Sequence, residues 1–219
     1  MEKAVIIVAG GSGTRMGADR PKQFLEVKGK PILAHTMERF YQYDSSMEMV
    51  LVLPKDQIKI WETYCQKYNI TIPHKITTGG ESRFHSVSNG LKMIESRGVV
   101  GVHDGVRPCV SLDTLKRCFE EAEKEGAVVP VVPLVDSIRE KDGETSKAVD
   151  RSKYALVQTP QTFQWEILSK AYQQSFDPLF TDDASVVEAD GKKIKLIDGN
   201  RENLKVTTPE DLKWITPFL

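Results

Sequence analysis

The feature that most constrains this chain is a short apolar run that passes directly into a cluster of glycines. Residues 4–8 read AVIIV, which is too short for an independent helix and rich in β-branched side chains, so a buried parallel strand is predicted. The glycines that follow are Gly10, Gly11, Gly13 and Gly17. Glycine lets backbone amides approach an anion closely, while Arg15 and Lys22 add positive charge. The pattern predicts a polyphosphate-binding loop where the strand ends.

The spacing of these residues excludes the two common nucleotide-binding motifs. A P-loop ends in Gly-Lys-Ser/Thr, and the sequence contains no such tripeptide. The dinucleotide fingerprint requires glycine or alanine at the position of Met16, which disfavours an oxidoreductase on that fold. The remaining pattern, G-x-G-x-R-M-G followed by P-K-Q-F, resembles that of the sugar-nucleotide and polyol-phosphate nucleotidyltransferases. A glycine turn with two solvated basic residues is the structural alternative.

Composition limits the partners of this chain. With 219 residues, 40% of them hydrophobic, it can bury a core as a single domain spanning residues 1–219. The net charge is −1, from 30 Lys and Arg against 31 Asp and Glu, so we expect no nucleic-acid or membrane partner. Cys65, Cys109 and Cys118 lack metal-ligand spacing, and their odd number fits a reducing cytoplasm. We therefore expect a cytoplasmic enzyme that acts on small molecules.

Strand-like runs alternate with segments of helical spacing along the chain. The strand-like runs are residues 4–8, 49–54, 74–80, 99–104 and 127–133. The helical segments are residues 32–40, 58–68, 87–94 and 111–122. This βαβα order predicts an α/β fold with a Rossmann-like, mostly parallel sheet flanked by helices. Ligands of such sheets bind at the carboxyl ends of the strands.

Capping residues predict where three helices begin. Ser111 is expected to cap the helix that follows it, and residues 208–210, Thr-Pro-Glu, to start the final helix. In FTDDASVVE, Thr181 is expected to be the cap, with Asp182 and Asp183 in the first turn, where acidic side chains favour the helix dipole.

One polar segment departs from the alternating pattern. Residues 136–151 read DSIREKDGETSKAVDR, with Asp142-Gly143 at the centre as a hairpin-turn dipeptide. We predict a projecting β-arm over residues 136–153. An isolated hairpin is marginally stable in water, so the arm is expected to pack against a second copy of the chain. The alternative is a mobile charged surface loop.

Polar residues follow several predicted strands. Gly79 and Gly80 allow close backbone approach, and Ser86 is expected either to hydrogen-bond a base or to cap the next helix. Asp104 and Arg107 follow the strand VVGVHD. The carboxylate suits ribose hydroxyls or a metal ion and the arginine suits a phosphate, with a structural salt bridge as the alternative.

Three further polar residues leave both structural and functional interpretations open. Thr159 in VQTPQTF could donate to a phosphate oxygen or belong to a turn around Pro160. Lys205, on or beside a strand, could be solvated surface. His103 next to Asp104 could form a dyad, but the sequence has no G-x-S-x-G nucleophile motif, so a packed strand histidine is favoured.

Eight motifs together resemble one family. AGGSGTRMG with PKQF, GGESRFHSV, VHDGVRP, PLVDSI, VDR, VQTPQTF, TDDAS and NLKVTTPEDL occur in the order seen in the 2-C-methyl-D-erythritol 4-phosphate cytidylyltransferases of the non-mevalonate isoprenoid pathway. The resemblance spans essentially the whole chain. It implies a nucleotidyltransferase fold, similar to glycosyltransferase A, whose arm forms a homodimer.

The resemblance also implies roles for individual residues. The catalytic residues would be Arg15, Lys22, Arg151 and Lys205. Those that bind CTP would be Ala9, Gly10, Gly11, Gly13, Gly79, Gly80, Ser86 and Asp104. Those around the polyol phosphate would be Arg107, Ser137 and Thr159. In the family pattern, Arg15 and Lys22 stabilise charge on the α-phosphate, and Arg151 reaches across the dimer to the partner's substrate.

The implied reaction is in-line attack of a polyol phosphate oxygen on the α-phosphorus of CTP, with pyrophosphate leaving. Mg²⁺ would be held mainly by the CTP phosphates, with Asp104 as the candidate protein ligand. Val106 also occurs in the sister ribitol-5-phosphate cytidylyltransferases of teichoic acid synthesis, which is the alternative activity. A noncatalytic nucleotide-binding protein is a second alternative. A protein of that kind is expected to have lost a basic residue of the phosphate site, but the sequence keeps all four: Arg15, Lys22, Arg151 and Lys205.

Overall fold

The computed structural model of this chain describes residues 1–10 and 21–219. The predictions for Gly11, Gly13 and Arg15 lie outside the described residues, as do those for Met16 and Gly17.

The described strands build one large sheet and two small ones. The strands are β1 (Lys3–Val8), β2 (Glu26–Val27), β3 (Lys30–Pro31), β4 (Glu48–Leu53), β5 (Lys75–Thr78), β6 (Val99–Asp104), β7 (Ala127–Pro133), β8 (Arg139–Asp142), β9 (Thr145–Ala148), β10 (Ala155–Val157), β11 (Gln161–Gln164) and β12 (Lys195–Asp198). The large sheet has the order β10-β7-β11-β6-β1-β4-β5, and β12 pairs with β7. Strand β1 therefore lies near its middle, parallel to both β6 and β4.

The prediction of a mostly parallel α/β sheet is confirmed, but two of its strands are antiparallel to their neighbours. Strand β11 runs antiparallel between β6 and β7, and β10 is antiparallel to β7. The sequence pattern of a short strand is the same in either direction, because strand direction depends on the path of the connecting chain.

The helices cover both faces of the sheet. They are α1 (Ile32–Tyr43), α2 (Ile58–Lys67), α3 (Arg83–Leu91), α4 (Leu112–Glu125), α5 (Trp165–Ala171), α6 (Asp183–Ala189) and α7 (Pro209–Ile215). Successive residues of β1 enter opposite cores: Val5 and Ile7 pack in one buried cluster, and Ala4 and Ile6 in the other. Because both faces are covered, β1 reads as a continuous apolar run rather than an alternating one. Among the described residues, no helix is both long and apolar enough to cross a membrane.

Two of the predicted helix caps are confirmed, and one is wrong. The side chains of Ser111 and Thr208 cap α4 and α7. The cap of α6 is Asp182 rather than Thr181, because the Asp182 carboxylate accepts from the Ser185 amide at 2.9 Å. Asp183 does lie in the first turn of α6, as predicted, and it is fully buried.

The predicted arm contains a hairpin of exposed residues. In the described part of the chain, strands β8 and β9 form a two-stranded sheet, in register from Arg139 with Ala148 to Asp142 with Thr145. The two-residue loop is therefore Gly143-Glu144, one position later than the dipeptide singled out from the sequence. Gly143 has φ +56°, a left-handed conformation that glycine accepts without strain.

Glu48, at the start of β4, generates a stability prediction. Its carboxylate accepts from the amides of Glu95 and Ser96 at 3.0 and 2.9 Å and from Lys75 Nζ at 2.9 Å. Burial raises the pKa of Glu48, but these donors outweigh it and lower the pKa from 4.5 to about 2. The stabilisation is therefore complete above pH 4.5 and is lost as the pH falls toward 2.

We expect Glu48→Gln to lower the free energy of unfolding at pH 7 by about 1–3 kcal/mol, because an amide cannot accept all three bonds. Urea unfolding at pH 7 and pH 3 measures the difference, which should shrink at the lower pH. The control is Glu62→Gln on the exposed side of α2, expected to change stability by less than about 0.5 kcal/mol. An equal loss at both pH values would contradict the assignment to the ionised carboxylate.

Candidate functional site

Strand pairing brings several chain segments to one end of the sheet. Val8, the last residue of β1, pairs with Asp104, the last residue of β6, and with Val52 of β4. The segments after these strands therefore meet at a common edge: Ala9 N donates to Val52 O at 2.9 Å, and Gly105 N donates to Val8 O at 2.9 Å. This is the carboxyl edge where the sequence predicted a ligand site.

A cavity of about 300 Å³ opens at this edge. Its walls contain Val8, Ala9, Gly10, Lys22, Gln23, Gly80, Glu81, Ser82, Arg83, Ser86, Asp104, Val106 and Lys205. Among the predicted site residues, the structure thus brings together Ala9, Gly10, Lys22, Gly80, Ser86, Asp104 and Lys205. Gly79 adjoins this wall, since its amide donates to Leu53 O at 2.8 Å at the end of β4.

The Asp104 carboxylate joins two basic side chains. Its Oδ2 lies 3.0 Å from Arg107 Nε and 3.2 Å from Lys205 Nζ. Burial raises the pKa of Asp104, but the charges of Lys205, Arg83 and Arg107 outweigh this effect and hold the pKa well below its usual range. The predicted structural salt bridge between Asp104 and Arg107 therefore exists, and it also fixes Lys205 on the cavity wall.

The segment that carries Lys205 is anchored by backbone contacts. Arg107 Nη1 donates to Asn203 O at 2.8 Å, and Val206 N donates to Val106 O at 3.0 Å. The fully buried Asn203 in turn donates to Thr159 O at 2.8 Å. Lys205 lies in an irregular segment and not on a strand. The position of Lys205 therefore depends on contacts with segments that lie far from it in the sequence.

Thr159 lies behind the cavity wall in a chain of hydrogen bonds. Burial lowers the pKa of His103 to about 4, so the ring is neutral at pH 7. Since its Nε2 lies 3.1 Å from Arg107 O, which only accepts, Nδ1 is left to accept from the Thr159 hydroxyl at 3.0 Å. The same hydroxyl accepts from Asp104 N at 3.1 Å. His103 is thus the packed strand histidine favoured by the sequence.

The turn between β5 and α3 is closely packed. Ser86 Oγ donates to Ser82 O at 3.0 Å and accepts from Gly80 N at 3.1 Å. A Cβ on Gly80 would lie 2.4 Å from His85 Cβ, so only glycine fits there. The cap of α3 is Ser82 rather than Ser86, because its side chain accepts from the His85 amide. The turn presents backbone and serine groups to the cavity.

A buried glutamine positions Lys22. Gln23 is fully buried, and its Nε2 donates to Ala9 O at 2.8 Å and also to the side chain of Gln57. These bonds fix the 3₁₀ turn Lys22–Phe24 against the end of β1 and place Lys22 in the cavity wall. The sequence analysis missed Gln23, although its place in the PKQF motif beside Lys22 was the available clue.

Two of the predicted site residues, Ser137 and Arg151, belong to the arm. A second cavity of about 340 Å³ adjoins Arg107 and Lys205, and Arg201 also lines it. Ser137 and Arg151 are exposed at the base of the arm and line neither cavity. The Arg151 guanidinium donates to Val135 O within its own chain. The roles predicted for these two residues stay predictions.

The acidic residues that the structure describes do not form a metal cluster. Among residues 1–10 and 21–219, no group of three or more His, Cys, Asp or Glu side chains could hold a metal ion. Within that part of the chain, Asp104 and the exposed Glu81 are the acidic residues in the wall of the first cavity.

Comparisons with known proteins identify relatives along the whole chain. A family model described as 2-C-methyl-D-erythritol 4-phosphate cytidylyltransferase, IspD, matches residues 3–218. The enzyme of that name from Bacteroides thetaiotaomicron is 54% identical over 213 residues, 97% of each chain. The one from Bacteroides fragilis is 51% identical over 219 residues, 100% of each.

Solved structures of this family also share the fold. The Francisella tularensis 2-C-methyl-D-erythritol 4-phosphate cytidylyltransferase matches with a TM-score of 0.83 and 29% identity, covering 100% of both chains. The Thermus thermophilus structure matches with a TM-score of 0.79 and 30% identity, covering 99% of this chain and 98% of that one.

Proposed function

Because the chain belongs to the 2-C-methyl-D-erythritol 4-phosphate cytidylyltransferase family, we propose that its first cavity binds CTP and that the adjoining cavity receives the polyol phosphate. The enzyme transfers the cytidylyl group of CTP to 2-C-methyl-D-erythritol 4-phosphate and forms 4-diphosphocytidyl-2-C-methyl-D-erythritol and pyrophosphate. The observation that carries the assignment of the site is the placement of Lys205 in the walls of both cavities, with Arg107 beside it in the wall of the second.

The turn at Gly79 and Gly80 is proposed to recognise cytosine. Its backbone groups approach the cavity closely because no side chain fits at Gly80, and Ser86 holds the turn in shape. A narrow pocket of backbone donors and acceptors favours a pyrimidine over a larger purine. Ala9 and Gly10 at the end of β1, with Gly11 and Gly13 beyond them, are proposed to cradle the phosphates.

The chemical step needs charge neutralisation more than covalent catalysis. A dianionic phosphate must approach a triphosphate, and cationic side chains that are fixed in advance lower that barrier. We propose that Lys22 and Arg15 stabilise charge on the α-phosphate, while Lys205 and Arg107 position the attacking phosphate. Asp104 holds Lys205 and Arg107 in place through its Oδ2.

Mg²⁺ is proposed to be held mainly by the CTP phosphates. Asp104 is the candidate protein ligand in the cavity wall, but its Oδ2 already contacts Arg107 and Lys205. The phosphates would therefore supply most of the ligands, as is common for Mg²⁺, which uses one or two carboxylates together with substrate phosphates. When bound, the ion would neutralise charge on the triphosphate.

A homodimer formed through the arm is proposed from an exposed apolar patch. Val135, Tyr154, Leu156 and Val157 are each between 46% and 56% exposed at the base of the arm. Strand β10, which carries the last two, is an edge strand of the large sheet. An unpaired strand edge with apolar side chains is a site for protein association. In such a dimer Arg151 would enter the partner's site, while Ser137 is proposed to contact the polyol phosphate. A cytoplasmic location is also proposed.

The ribitol 5-phosphate alternative is not favoured by the family match. Val106, which raised it, is almost fully buried and contacts the Lys205 segment through its backbone carbonyl. Purified enzyme offered CTP, Mg²⁺ and either polyol phosphate should release pyrophosphate rapidly only with methylerythritol phosphate. The reverse preference would overturn the assignment.

In the same assay we expect Lys22→Ala to lose about a hundredfold or more in turnover, because a fixed charge-stabilising group is removed. Its unfolding midpoint should stay close to that of the wild type. Lys55→Ala is the matched control, since Lys55 is exposed and also begins a 3₁₀ turn. Turnover of Lys22→Ala similar to that of the control would contradict the role of Lys22.

Mixed dimers test whether Arg151 acts across subunits. Lys22→Ala and Arg151→Ala homodimers should each be nearly inactive. A mixed dimer of the two variants would carry both defects in one site and none in the other, so co-expression with two affinity tags should restore about half of the wild-type turnover per dimer. Absence of recovery in purified mixed dimers would show that Arg151 serves its own chain.

A further inference from the structure

Asp183 is a buried carboxylate that has no part in the proposed reaction. It is the first residue of α6 and is fully buried. Its Oδ1 lies 2.6 Å from Arg83 Nη1 and accepts from the Tyr172 hydroxyl at 2.7 Å. Its Oδ2 is buried and has no hydrogen-bond partner in the described part of the chain. A charged group in this position needs an explanation.

Stability alone does not account for this ion pair. Phe84, Phe180 and Tyr172 form an aromatic cluster beside it, with the rings of Phe84 and Tyr172 stacked 4.8 Å apart. A buried ion pair costs desolvation of both ions, and well-packed apolar side chains commonly stabilise such a place as well or better. The pair is therefore better explained by the position that it imposes on Arg83.

Arg83 connects the buried carboxylate to the CTP cavity. It is the first residue of α3, directly after the turn that contains Gly80, and it lines the first cavity. Its side chain is 26% exposed. Within residues 1–10 and 21–219, Asp183 is the ion-pair partner found for Arg83. A guanidinium carries five N–H donors, so most of them remain for a molecule in the cavity.

The ion pair between Arg83 and Asp183 affects which part of a nucleotide Arg83 can bind. With Asp183 at 2.6 Å, the two charges largely cancel, so Arg83 attracts distant phosphates only weakly. A guanidinium held in one orientation remains a directional donor to an uncharged oxygen. Arg83 adjoins the turn proposed to recognise cytosine and lies near enough to Asp104 to lower its pKa.

We propose that Asp183 is a positioning residue that holds Arg83 on the cavity wall, where the guanidinium donates to the base or ribose oxygens of CTP. The proposal rests on the assignment of this cavity to CTP. Tyr172 contributes by sharing the same carboxylate oxygen. The geometry links α6, whose motif had only a structural interpretation in the sequence, to the nucleotide.

The test compares CMP and CTP binding by isothermal titration calorimetry, without Mg²⁺, in wild type and Asp183→Asn. The amide keeps the shape of the side chain and removes its charge. We expect the Kd of both nucleotides to rise by the same factor, about tenfold, because the lost contact is to the nucleoside. In turnover assays the KM for CTP should rise by a similar factor, while kcat at saturating CTP changes by less than about threefold.

Two further variants keep the proposal testable if Asp183→Asn does not fold. Tyr172→Phe keeps the aromatic ring and removes one bond to Asp183, so CMP binding should weaken by about two- to threefold. Arg83→Lys keeps the charge and loses the planar fork, so CMP binding should weaken at least as much as in Asp183→Asn. The control is Asp190→Asn at the other end of α6, where Asp190 pairs with Lys170 at the surface, and it should bind CMP normally.

Three results would overturn the proposal. Unchanged CMP binding in Asp183→Asn or, if that variant does not fold, in Arg83→Lys would leave Asp183 with a structural role only. A larger loss of affinity for CTP than for CMP in Asp183→Asn would indicate that Arg83 contacts the phosphates. Weakened binding in Asp190→Asn would show that any change in α6 disturbs the site. Failure of the wild type to bind CMP or turn over CTP would instead contradict the proposed function.

Discussion

The structure of the site depends on one buried negative charge. The Asp104 carboxylate lies at the end of a central strand, where burial disfavours ionisation unless cations compensate. Arg107 and Lys205 supply that compensation at 3.0 and 3.2 Å. Since Lys205 comes from a segment a hundred residues later, the charge also fixes the path of the chain near its carboxyl end. The same contacts leave Lys205 in the walls of both cavities and Arg107 in the wall of the second, where a phosphate can meet them.

The sheet makes this arrangement possible. Parallel pairing of β1 with β4 and β6 ends three buried strands at one edge, so that the glycine turn, Lys22 and Asp104 meet around a single cavity. Neutral buried groups support the charged ones. Thr159 accepts from the Asp104 amide, His103 donates to Arg107 O, and Gln23 fixes the turn of Lys22 to Ala9. The enzyme supplies a preorganised set of cations, and these buried polar contacts maintain it.

Local patterns made part of this structure predictable. The apolar run of β1 predicted a central strand because both its faces are covered, and Ser111 and Thr208 predicted helix starts because a cap acts within one turn. Contacts between segments that are distant in the sequence could not be predicted from such local patterns. The antiparallel insertion of β11 and the pairing of Arg83 with Asp183 join residues far apart in sequence. The error at Thr181 was local, since Asp182 and Ser185 form a capping box one residue later in the sequence.

The central claim is that Asp104 remains ionised because Lys205 and Arg107 contact its carboxylate. A ¹³C NMR titration of the Asp104 carboxyl carbon, followed from pH 7 down to the lowest pH at which the enzyme stays folded, measures this directly. The account predicts that the carboxyl is still ionised at about pH 3.9, where an unperturbed aspartate is half protonated. A titration midpoint at or above that value would contradict it.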